Sequence, residues 1–132
     1  MSTEPLPRPT AAEMEILAVL WERGACTVRQ VHDALAGRRG TGYTTVLKLL
    51  QIMAGKGLVE RDESDRSHVY RAAHERDAMQ GELVGDLIDR AFDGSAAQLV
   101  MRALAQRPTD PNELAEIRTM LDALLAAREQ RR

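Results

Sequence analysis

Met14, Leu17, Ala18, Leu20 and Trp21 recur with the 3.6-residue period of a helix lying on a core. Just upstream, Thr10-Ala-Ala-Glu13 has the form of a capping box, in which the threonine hydroxyl accepts the N3 amide and the glutamate accepts the threonine amide. A first helix is therefore predicted from there to Gly24, where a positive φ is tolerated. Thr27-Val-Arg-Gln30 repeats the signal and opens a second, short helix with Val28, Val31, Ala34 and Leu35 on one face, ending at Gly37. Beyond the Gly40-Thr41-Gly42 turn, Val46, Leu49, Leu50 and Met53 mark a third helix over 43–55, ended by Gly57. Residues 58–62 then read as a strand, Glu63-Ser64-Asp65-Arg66 as a polar turn, and 67–72 as the returning strand. Three short helices followed by a hairpin is the order of a winged helix-turn-helix, whose third helix enters the major groove of DNA.

The pattern after residue 73 is purely helical. Met79, Leu83, Leu87 and Ala91 fall at steps of four, closed by Asp93-Gly94. Ser95-Ala-Ala-Gln98 is a further capping box ahead of Leu99, Val100, Ala103 and Leu104. Asp110 caps a last helix with Pro111 at the tolerated N1 position, and Leu114, Ile117, Leu121 and Leu124 form a seam that Met120 and Leu125 widen. Three amphipathic helices with so few aromatic side chains make a poor core by themselves. Shared between two chains they bury both seams, so a homodimer is expected, with Leu83, Leu87, Leu114, Ile117, Leu121 and Leu124 at its contact. The alternative is that these helices fold back on the N-terminal part. The expected architecture is mainly α: a tail over 1–9, a winged-helix DNA-binding domain with a small two-stranded wing over 10–73, and a three-helix dimerisation domain over 74–132.

Composition narrows the function. The chain has 132 residues, 44% apolar and 29% charged, enough for one domain or a small domain with an appendage. Its longest apolar run, residues 16–21, is far short of the roughly 20 residues a membrane-crossing helix needs. With three prolines and no apolar stretch in residues 1–10, no signal peptide is read either, and a cytoplasmic protein is expected. The single Cys26 and the scattered His32, His68 and His74 offer no metal spacing, and no cofactor is expected. Neither a phosphate-binding loop nor a nucleophile motif is present, so the chain does not read as an enzyme. The net charge of −2 is unevenly distributed. Residues 26–72 hold eight basic and five acidic side chains, whereas 73–132 hold eight basic and eleven acidic. A cationic middle followed by an acidic end suits a nucleic-acid module joined to an assembly module.

With the apolar stripe of the third helix turned to the core, Tyr43, Thr44, Thr45, Lys48 and Gln51 remain to read DNA. Threonine methyls and hydroxyls suit a thymine methyl or a phosphate, Lys48 suits guanine or phosphate, and Gln51 can pair bidentately with adenine. Arg38 and Arg39, ahead of this helix, are placed to clamp the backbone. Arg61, Arg66 and His68 border the hairpin, with Arg66 the candidate phosphate contact, although Asp62, Glu63 and Asp65 interleave with them and could neutralise them. Tyr70 and Trp21 read as packing residues, Cys26 as structural, and His32 as a surface or capping residue.

The stretches TAAEMEILAVLWERGACTVRQVHDAL, GYTTVLKLLQIMAGKGLVERD and HVYRA sharpen this reading. In this combination and at these distances the chain resembles the penicillinase-repressor (BlaI/MecI) family of bacterial winged-helix transcription repressors, closely over 10–72 and more loosely beyond. The resemblance implies a dimer that occupies a palindromic DNA operator through Thr44, Thr45 and Lys48. Leu47 and Ile52 are apolar where relatives often carry a basic or polar residue, which thins the cationic face. It also implies release by a signal: a membrane sensor protease that detects β-lactam triggers cleavage in the dimerisation domain. The corresponding stretch here is 99–104, with Arg102 and Ala103 as the nearest matching positions, and it lacks the Asn-Phe pair cut in staphylococcal members. No cysteine follows Cys26, so the cysteine-rich metal motif of the family's copper-responsive branch is missing. Two rival readings are a winged-helix regulator relieved by a small ligand in the dimer cleft and a winged helix used only for protein contact.

Overall fold

The computed structural model describes residues 6–39, 41–64 and 66–131, with backbone alone at 37–39. The capping box at Thr10 is formed: the Glu13 amide donates to Thr10 Oγ1 at 3.2 Å and the Thr10 amide to Glu13 Oε1 at 2.7 Å. Helix α1 (Ala11–Arg23) follows, and its C-cap, Gly24, takes φ +82°, a conformation that disfavours any residue with a Cβ. The buried side of α1 is turned from the expected stripe. Ile16, Leu17, Val19 and Leu20 are buried, while Met14 and Trp21 are half-buried. Residues 16–21 are all apolar, so periodicity there leaves the facing side open and packing decides it.

A strand that sequence patterning missed comes next. Cys26–Thr27 forms β1, too short to show any alternation, and it joins α2 (Val28–Arg39) directly. The capping box between Thr27 and Gln30 is complete, at 2.8 and 3.2 Å. Helix α2 passes through Gly37, contrary to the expected stop there: a glycine inside a helix costs only about 1 kcal/mol, and the chain continues to Arg39. Helix α3 (Tyr43–Lys56) ends at Gly57, whose left-handed φ +82°, ψ 16° turns the chain into β2 (Val59–Asp62). Strand β3 (Val69–Ala72) returns antiparallel, and the sheet order is β1-β3-β2. Cys26 pairs with Tyr70 and Arg61 pairs with the same residue from the other side. The wing is thus a hairpin extended by a third short strand, which ties it to the start of α2.

Ile16, Leu17, Val31, Val46, Leu50, Met53, Leu58 and Tyr70 form the centre of one continuous core. Helix α4 (Arg76–Ala91) adds Met79, fully buried, and Leu83, which packs at the core edge. Trp21 donates its indole N–H to the His74 carbonyl at 2.9 Å, so its polar end is satisfied at the core margin. Leu6 packs against the same core and Arg8 pairs with Asp86 at 2.7 Å; residues 1–5 of the expected tail lie outside the described residues.

The chain divides into two compact units, Met1–Asp86 and Leu87–Arg132. The second contains α5 (Ala96–Gln106), capped by Ser95 at 3.1 Å, and α6 (Pro111–Gln130), capped by Asp110 at 2.7 Å with proline at N1. Neither helix has a buried residue. Leu87, Val100, Leu104, Leu114, Leu121, Leu124 and Leu125 all remain exposed, at 51% for Leu121 and 57% for Leu124. An apolar groove of about 640 Å³ runs between the two helices, lined among others by Leu99, Val100, Leu104, Ile117, Leu121 and Leu124. Among the described residues no helix is long and apolar enough to cross a membrane.

Candidate nucleic-acid interface

Helix α3 has two faces of opposite character. Val46, Leu50 and Met53 are fully buried and fix the helix on α1, α2 and the sheet. One turn round, Thr44, Thr45, Lys48 and Gln51 are exposed and Tyr43 is 40% exposed at the first position. The sequence-derived reading face is therefore assembled on one side of one helix. Arg38 and Arg39 end α2, and their side chains lie outside the described residues.

The wing closes one flank of this face. Tyr43, Leu47 and Gln51 of α3, Thr27, Val28 and Arg29 at the start of α2, and Arg61, Arg66, Ser67, His68 and Tyr70 of the wing line one cleft of about 480 Å³. Arg66 is exposed and has no carboxylate partner among the described residues, whereas Arg61 is paired with Glu63. Leu47, apolar on an otherwise polar side, is half-buried in this cleft, and Ile52, next to Gln51 in the chain, is 45% exposed. Tyr70 is buried beneath, as a packing residue.

What holds α3 in place is partly ionic. Glu13 is only 2% exposed; its carboxylate accepts from Lys56 Nζ at 2.7 Å and from the Thr10 amide. Burial pushes the Glu13 carboxyl pKa up, but the Lys56 and Thr10 hydrogen bonds and the Lys56 charge outweigh it and hold the value below the usual 4.5. The first turn of α1 is thereby pinned to the last residue of α3. Lys56, which counted toward the cationic middle of the chain, is tied to Glu13 although its side chain is partly exposed. Arg71 is likewise held across the strands by Glu60 at 2.7 Å. Cys26 is buried, its Sγ 3.3 Å from the Gly24 carbonyl, and burial raises its thiol pKa, which suits packing and not thiolate chemistry.

Sequence reading did not single out Arg29. Its guanidinium lies over the Tyr43 ring, 5.0 Å from the centroid, and His32 meets the same ring edge-on at 6.0 Å. Fourteen positions separate Arg29 from Tyr43, across a turn, so no local periodicity connects them. Its place in the first turn of the helix before the reading helix was the available signal.

In the dimerisation seam expected from sequence, Leu87, Leu114, Leu121 and Leu124 are exposed and Ile117 lies in the groove of the second unit, while Leu83 sits against the core of the first. Arg102 and Ala103 are exposed on α5.

Residues 9–123 match the model of the penicillinase repressor family. The transcriptional regulator BlaI of Mycobacterium tuberculosis, in the CDC 1551 / Oshkosh and H37Rv strains alike, is 38% identical over 96 residues, which are 72% of this chain and 70% of the relative. Among solved structures, the DNA-binding domain of the repressor BlaI aligns over 58% of this chain and 93% of its own, with TM-score 0.50 and 20% identity. The H. salinarum protein RosR, in the complex hsRosR-S1, aligns over 90% of this chain and 94% of its own, with TM-score 0.54 and 24% identity. These two structures speak for the fold, and the family model and the mycobacterial relatives speak for descent. The chain belongs to the penicillinase repressor family, a family of BlaI-like transcriptional regulators, and has a winged-helix fold.

Proposed function

We propose that this protein is a cytoplasmic homodimeric repressor whose two α3 helices enter successive major grooves of a palindromic operator and block transcription by occupancy. The observation that carries it is the partition of α3: Val46, Leu50 and Met53 are fully buried, while Thr44, Thr45, Lys48 and Gln51 face outward beside a wing that offers Arg66 and His68. Helix side chains of this chemistry can touch base edges, and wing cations can meet phosphates. Residues 10–73 would do the reading and 74–132 the pairing. The second unit supports the dimer, because an apolar groove whose leucines stay in water is stabilised by a second copy of itself at about 25 cal/mol per Å² covered. Half-sites about 10 base pairs apart, or a multiple, would follow from paired recognition helices.

Release by a signal fits the same arrangement. Arg102 and Ala103 lie on a helix with no buried residue, so a protease linked to a membrane sensor of β-lactam or envelope stress could cut there and weaken the pairing.

The test is a mobility shift on duplex DNA from the protein's own upstream region at two salt concentrations, with wild type and Lys48→Glu. Specific binding that weakens with salt is expected for the wild type. Lys48→Glu should reduce it about a hundredfold or more, by replacing a contact with a repulsion on an exposed site. Equal binding by both proteins would remove α3 from the interface.

A further inference from the structure

Residues 26–72 hold eight basic side chains, and ion pairing divides them. Lys56 is bound to the buried Glu13, Arg71 to Glu60 and Arg61 to Glu63. Among the described residues Arg29, Lys48 and Arg66 have no carboxylate partner, and of these Arg29 alone is held by something else, the face of Tyr43. We propose that Arg29 contacts a DNA backbone phosphate and that the Tyr43 ring is the platform that positions it. This rests on the DNA-binding reading above and adds a residue to it.

Three observations converge. Arg29 and Tyr43 line the same cleft as Gln51 on α3 and Arg66, Ser67 and His68 on the wing, so Arg29 faces the reading side and not the back of the domain. A strand whose bases meet Thr44, Lys48 and Gln51 carries its phosphates past the helix that precedes the reading helix, and the start of α2 is where Arg29 stands. Thr27 and Gln30, the polar neighbours there, have their side-chain oxygens engaged by backbone amides in the capping box and carry no charge, which leaves Arg29 as the cation at this helix start.

The position over the ring suits the role. A guanidinium carries its N–H groups in its own plane, and with its carbon 5.0 Å from the ring centroid those groups can still make paired bonds to phosphate oxygens. His32, edge-on to the far part of the ring and 3.3 Å from Asp33 Oδ1, limits how Tyr43 can turn. Arg29 is thus oriented before DNA arrives and loses less rotamer freedom on binding than an unsupported arginine.

The probe is a duplex enriched from a random-sequence pool by the wild-type protein, and the readouts are affinity and its salt dependence. Arg29→Gln should lower affinity about tenfold and reduce the slope of log K against log salt by about 0.9, the share of one phosphate. Arg29→Lys should restore the slope but only part of the affinity. Tyr43→Leu, which removes the ring, should lose about as much as Arg29→Gln and add little in that background. The proposal is overturned if Arg29→Gln leaves affinity and slope unchanged while Lys48→Glu still abolishes binding, which would spare the DNA-binding reading. It is also overturned if the losses from Arg29→Gln and Tyr43→Leu add in full in the double variant, since the ring would then act independently of Arg29. Failure of the wild type to enrich any duplex would instead defeat the DNA-binding reading, and this proposal with it.

Discussion

The two units of this chain solve the hydrophobic problem in opposite ways. In Met1–Asp86 three helices, a small sheet and the start of α4 enclose a common core, and α3 leaves Thr44, Thr45, Lys48 and Gln51 outside it. In Leu87–Arg132 α5 and α6 bury nothing, and the leucines that periodicity aligned remain in water. The lesson is that amphipathic helices of similar quality acquire different roles according to how many elements surround them. A third helix packed from several sides shows a polar face to a ligand. The two helices of the second unit leave an apolar groove exposed.

Breaking the second unit should give the largest effect. Leu121→Asp places a charge in the groove of both copies, and the dimer dissociation constant should rise about a hundredfold or more, read as a shift to protomer mass in sedimentation equilibrium. A mass that stays dimeric would move the pairing surface elsewhere. In the first unit, Leu50→Ala removes a fully buried side chain beneath the reading face. A loss of about 3 kcal/mol in urea unfolding is expected, with the exposed residues of α3 untouched.

Smaller still is the ionic brace. Lys56→Met leaves the buried Glu13 carboxylate with the Thr10 amide as its remaining donor here, and should cost about 2 kcal/mol, less than a fully buried pair because Lys56 is partly in water. The same pair sharpens the comparison through pH. Glu13 is held below 4.5 in the folded protein, so its contribution is present above that value and is lost as the pH falls through the lower, folded value. Acid titration of the first unit's unfolding should show this loss in the wild type and a flatter profile in Lys56→Met. An unchanged profile would mean that Glu13 does not sense Lys56.

Much of the fold was legible because its signals are local. The capping boxes at Thr10 and Thr27 each place donor and acceptor three residues apart, and both form as expected. The stripe of α3 was equally plain, since Val46, Leu49, Leu50 and Met53 recur at helical spacing, with Leu49 at the core edge and the other three buried. Harder were the features that depend on distant partners. Strand β1 exists because Cys26 and Thr27 meet Tyr70 and Val69, and two residues carry no period. Glu13 read as a cap, yet its burial and its bond to Lys56 are set by where α3 ends. Leu83 looked like the rest of the seam but was drawn to the core of the first unit.

The sequence by itself determined the order of the helices and the hairpin, where the capped helices begin, and which side of α3 would be polar, because caps and helical period act within a few residues of chain. Only the tertiary structure decided which cations remain for a ligand and which are tied to carboxylates. It alone brought Arg29 onto Tyr43 and left the second unit's leucines exposed. Those outcomes depend on which side chains meet across long stretches of chain, and neither spacing nor composition encodes such distances.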